Sequence, residues 1–70
     1  MNKTELQIAM LREEKSVDDL CAALGISRSS WFRKVGGDSQ FTQGEIMALR
    51  FELQLSDQQT TRIFFDDKVS

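Results

Sequence analysis

The connector Gly25-Ile26-Ser27 constrains this chain more than any other stretch of it. Before it, Val17, Leu20, Cys21 and Leu24 fall at i, i+3, i+4 and i+7, the apolar stripe of a short helix. After it, Ser27 is a helix-capping residue ahead of Arg28-Ser29-Ser30, and Ile26 can staple against Trp31 one turn in. One helix must therefore stop and another restart within three residues. Glycine supplies the positive φ this needs without the roughly 1–2 kcal/mol other residues lose there. Ile26 then plugs the elbow, Cys21 is small enough to sit where the helices touch, and Trp31 and Val35 anchor the second helix. A small residue, glycine at +4, and apolar residues at +5 and +10 make a helix-turn-helix arithmetic.

The flanking segments are also helical in period, and strict strand alternation fits nowhere for long. The spacing predicts a first helix over about Lys3–Glu14, with Leu6, Ala9 and Met10 inward and Ile8 and Leu11 widening that face. Ser16 caps a second helix, Val17–Leu24, whose Asp18 and Asp19 suit the positive helix end. The third runs Arg28–Val35 and stops at Gly36-Gly37. Thr42-Gln43-Gly44-Glu45 is a capping box, with Phe41 and Ile46 as its staple, for a fourth helix over Gln43–Gln54. That helix should bury Ile46, Leu49 and Leu53, with Met47 and Phe51 to the side. Ser56-Asp57-Gln58-Gln59 opens a fifth helix, Asp57–Phe65. The tail Asp66–Ser70 should fray. The expectation is an all-α, compact five-helix bundle forming one domain over residues 1–70.

Composition narrows function. The chain has no histidine and one cysteine, Cys21, which excludes an internal disulfide and leaves zinc with a poor ligand set. The commonest general base is missing, as is every Ser-His or Cys-His pairing, so no enzymatic activity, cofactor or metal is expected. Cys21 reads as a packed small hydrophobe, and the Glu13-Glu14 and Asp66-Asp67 pairs as solvated ends of helices. The first residues are polar and acidic, unlike a secretory signal, and no apolar run could span a membrane, so a cytoplasmic location is expected. The net charge of −2 argues against the simplest DNA binder. Its distribution argues the other way, because Arg28, Arg33 and Lys34 follow the turn with no acid between them.

These segments resemble the lambda-repressor/Cro-like helix-turn-helix family, especially its short phage-associated regulators. The resemblance is carried by Val17 to Val35, by Phe41-Thr42-Gln43-Gly44-Glu45-Ile46, by Leu53-Gln54-Leu55-Ser56-Asp57 and by Ile63-Phe64-Phe65, and covers most of the chain from Glu5 onward. Cys21 stands where the family usually has alanine, and Lys34 where it more often has an apolar residue. The resemblance implies a lambda-repressor-like DNA-binding fold, with the helix-turn-helix at helices two and three. It also implies a transcriptional regulator, such as a Cro-sized repressor, that binds double-stranded DNA. One module this small buries only about 600–1,000 Å² on DNA, so pairing into a homodimer through the last helix is expected to supply the rest.

In that arrangement the third helix lies in the major groove with its N-terminal residues toward base edges. Ser27 would meet a phosphate through its hydroxyl or nearby amides. Arg28, Ser29, Phe32 and Arg33 would face outward, arginine gripping guanine and Phe32 touching a thymine methyl. Lys34 would meet phosphate. Trp31 is expected in the core. Ile63, Phe64 and Phe65 are either core closure or a subunit contact. A different class of function also fits: a protein-binding module on the same fold, using its acidic C-terminal half on another regulator or on polymerase.

Overall fold

The computed structural model describes residues 1–65, and within them five helices follow one another: α1 (Lys3–Arg12), α2 (Val17–Leu24), α3 (Arg28–Gly36), α4 (Gln43–Leu53) and α5 (Asp57–Phe64). The terminal segment expected to fray, with Asp66, Asp67 and Val69, lies outside the described residues. No strand occurs among the described residues, and none of their helices is long and apolar enough to cross a membrane.

Every helix begins on a side-chain cap. Ser16, Thr42 and Ser56 each accept from the amide three residues on at 3.1 Å, and Asp19, Glu45 and Gln59 return the bond to the capping amide. Ser27 caps α3 by accepting from the Ser30 amide. Asn2 caps α1 through Oδ1, and its own amide donates to the Ile63 carbonyl at 2.8 Å, tying the N-terminus to α5. Each cap satisfies an amide that the helix itself leaves without a partner, worth about 1 kcal/mol.

The core collects one face of each helix: Leu6 and Ala9, Leu20 and Cys21, Trp31, Leu49 and Leu53, and Ile63, with Leu55 from the α4–α5 connection. Packing is chiefly α2 on α4, α2 on α3, and α1 on α5. Arg12 binds α1 to the far end of α4 by donating to the Leu53 carbonyl at 2.9 Å, and Lys15 meets Glu52 at 3.3 Å. That guanidinium satisfies a carbonyl the helix end leaves open and sits at its negative pole.

Several expectations need correction. Ile8 and Leu11 do not widen the buried face of α1, since both are exposed, Leu11 by 78%. The helix also stops at Arg12, because Glu14 turns left-handed at φ 55°. On α3 the helix runs on to Gly36, and Gly37 is the left-handed cap at φ 97°. Ile63 is fully committed to the core, so it leaves the set that could contact a second subunit. Phe64 is half-buried with its ring edge against Phe41, and Phe65 is exposed.

Candidate nucleic-acid interface

The α2–α3 connection positions the site. Gly25 caps α2 at φ 71° and ψ 33°, and the Ile26 amide donates back to the Cys21 carbonyl at 3.1 Å, closing the turn. Burial pushes the Cys21 thiol up from its ordinary value, so the group sits in the contact as an uncharged sulfhydryl. Trp31 then fixes the rotation of α3. It is buried, and its ring meets Phe41 edge-on at 5.5 Å; Phe41 in turn meets Phe64 at 5.8 Å. Val35, one turn on, packs against the same core.

With Trp31 and Val35 turned inward, the spacing of about 100° per residue leaves Ser29 and Arg33 near the centre of the outer face. Phe32 lies beside them and Arg28 at the flank toward α2. Ser29, Phe32 and Arg33 are all exposed, Phe32 by 52%. Arg33 donates to the Ser30 hydroxyl at 3.3 Å, and no carboxylate among the described residues lies within ion-pair distance of it. The Ser27 hydroxyl is already engaged with Ser30, as acceptor from its amide and as donor to its Oγ. What remains at this helix end for an anion is the pair of outward amides of Arg28 and Ser29, which the helix leaves unpartnered.

The sequence has no acid between Arg28 and Gly37, yet two of its three cations there meet acids from other elements. Arg28 Nη1 donates to Asp18 Oδ1 at 2.6 Å across the turn. Its guanidinium carbon also stands 5.6 Å from the Phe32 ring centre. Lys34 departs furthest from expectation. Its ammonium lies 3.1 Å from Glu45 Oε1, donates to the Gln40 carbonyl at 3.2 Å and stands 5.9 Å from the Phe41 ring centre. The side chain is only 14% exposed, so it locks α3 to the start of α4 and does not share the outer face. The Thr42 amide, then this ammonium, hold the Glu45 carboxyl below its usual range against the opposing effect of burial. A phosphate contact from Lys34 would have to break this pairing first.

Asp18 is the residue that sequence reading missed at this face. It stands ten residues before Arg28, and only the packing of α2 on α3 brings the two together. The described surface has further exposed apolar side chains, Met47 and Phe51 on α4, and a cleft of about 340 Å³. Met1, Phe41, Ile46, Phe64 and Phe65 supply the apolar part of its lining. No group of three or more metal-ligating residues occurs among the described residues. Comparison with protein-family models, with curated proteins and with solved structures gives no match.

Proposed function

We propose that the protein is a sequence-specific regulator of the lambda-repressor/Cro-like type, placing α3 in the major groove of double-stranded DNA. One observation carries the reading. An outer helix face bears Ser29, Phe32 and Arg33, and Arg33 has no carboxylate partner among the described residues. The opposite face is nailed down by Trp31 and Val35, so the face is rigid and pre-positioned. Nothing in the core requires an aromatic ring at position 32, where half its surface meets water. Against a duplex it has a use, as an apolar partner for a thymine methyl beside an arginine able to take guanine O6 and N7.

The screening of Arg28 and the withdrawal of Lys34 set a quantitative expectation for binding. With few unneutralised cations on the face, affinity for a mixed-sequence duplex should be weak. It should fall with salt along a shallow log–log slope of about −2. A fluorescence-anisotropy titration between low and moderate salt measures it. Absence of binding at the lowest salt would refute the reading.

A single module of this size covers little DNA, and a homodimer on a palindromic site would double it. With Ile63 in the core, the subunit contact falls to Phe65 and the outer edge of Phe64. Sedimentation of the complex on a selected site should give two chains per duplex; a one-to-one mass contradicts the dimer.

A protein-binding role is the second reading. It is favoured by the acidic balance of the chain and by exposed Met47 and Phe51, one turn apart on α4. On that reading, the binding surface is α4 and the titration with DNA is flat.

A further inference from the structure

We propose that Asp18 is a specificity-determining residue: by holding the Arg28 guanidinium against the Phe32 ring, its carboxylate makes Arg28 a reader of bases instead of an anchor on phosphate. This inference rests on the DNA-binding reading given above and adds a residue from outside the recognition helix to it.

Three observations support it. The guanidinium is tethered at two points, by a hydrogen bond of 2.6 Å to Asp18 Oδ1 and by its carbon at 5.6 Å from the Phe32 ring centre. Such a group samples fewer orientations than an untethered arginine. Both side chains remain open to a ligand, with 58% of Arg28 and 74% of Asp18 exposed. Finally, Asp18 has no part in capping α2. That duty belongs to Asp19, whose Oδ2 accepts from the Ser16 amide at 2.8 Å and whose carboxyl is held below its ordinary value by the Ser16 bonds.

The chemistry separates two uses of the same guanidinium. Attraction to phosphate depends on net charge and on the counterions its neutralisation releases. A carboxylate in contact with Arg28 cancels that charge well within the screening length, so backbone binding gains little from it. Recognition of guanine depends on two parallel N–H donors presented in a fixed plane. One donor is spent on Asp18, and others of the five remain on a group whose orientation is restricted. At the same flank the carboxylate repels any phosphate that approaches in the wrong register, an unfavourable term that discriminates against incorrect sites.

The test compares Asp18→Asn with Asp57→Asn. Asp57 is likewise a first-turn acid, exposed and paired with an arginine, Arg50, so its removal changes net charge equally. Each variant is titrated with a mixed-sequence duplex and with a duplex selected by the unaltered protein, after circular dichroism confirms that it folds. Asp18→Asn should bind the mixed duplex roughly fivefold tighter, with a salt slope steeper by about one. Its ratio of selected to mixed affinity should fall roughly tenfold, the discrimination carried by one base contact. Asp57→Asn should leave that ratio unchanged. In an Arg28→Ala background, Asp18→Asn should give no more gain than Asp57→Asn. An unchanged ratio in Asp18→Asn, or a gain that survives loss of Arg28, overturns the proposal while leaving DNA binding intact. Failure of the unaltered protein to bind any duplex at low salt removes the DNA reading itself, and this inference with it.

Discussion

Replacing Trp31 with alanine should cost about 3–5 kcal/mol, the usual price of emptying a fully buried aromatic site. A domain of this length holds roughly 4–10 kcal/mol in all, so this one change takes a large share of it. Trp31 is 2% exposed and is one end of an edge-to-face chain through Phe41 to Phe64 that joins α3 to α5. Its loss opens a cavity where α3, the α3–α4 connection and α5 meet. Thermal melts followed by far-ultraviolet circular dichroism should drop by roughly 15 °C or more, or show no folded baseline. The adjacent Phe32→Ala should stay within about 1 kcal/mol of the parent, because that ring is half in water, stands outside the core cluster and stacks near the Arg28 guanidinium. Equal shifts from the two substitutions would mean that α3 is not rotated as described.

Arg33→Ala should weaken binding to a selected duplex roughly 10- to 100-fold, the range of one well-placed arginine–base contact. Arg33 carries this weight because it is exposed and because no carboxylate among the described residues competes for it. Arg33→Lys keeps the charge but loses the planar fork, so it should recover affinity for mixed duplex more fully than discrimination. Lys34→Gln provides the contrast. Its ammonium is held between Glu45 and the Gln40 carbonyl, and its replacement should loosen the α3–α4 loop more than it alters DNA affinity. Anisotropy titrations at one fixed salt compare all three. A stronger effect from Lys34→Gln than from Arg33→Ala would place the contact surface elsewhere.

How much of this was legible depended on the distance over which each feature is determined. The starts of α2, α3, α4 and α5 could be read from Ser16, Ser27, Thr42 and Ser56, because a cap is closed within three residues by the cap's own side chain. The burial of Trp31 and the left-handed turn at Gly25 were equally local inferences. Ile8 and Leu11 misled because an apolar residue on a short helix signals burial only if another element covers it. α1 packs chiefly on α5, which leaves those two side chains outside.

The charges were the least legible part. Arg28, Arg33 and Lys34 look alike in a row of letters, yet one is shared with Asp18, one is free of carboxylates and one is enclosed with Glu45. The pairings span ten and eleven residues and are fixed only when α2, α3 and α4 pack. The outer face is therefore less cationic than the sequence suggests, which on the DNA-binding reading lowers the expected contribution of phosphate and raises that of base contacts.

On the DNA-binding reading, the outer face of α3 is the surface that meets the duplex. Amide chemical-shift mapping of the intact protein during addition of a duplex tests this residue by residue. The largest changes should fall on residues 27–33, with Asp18 as the main outlier and little movement near Met47 and Phe51. Changes centred on α4 or on the cleft beside Phe65, with residues 27–33 undisturbed, would contradict it.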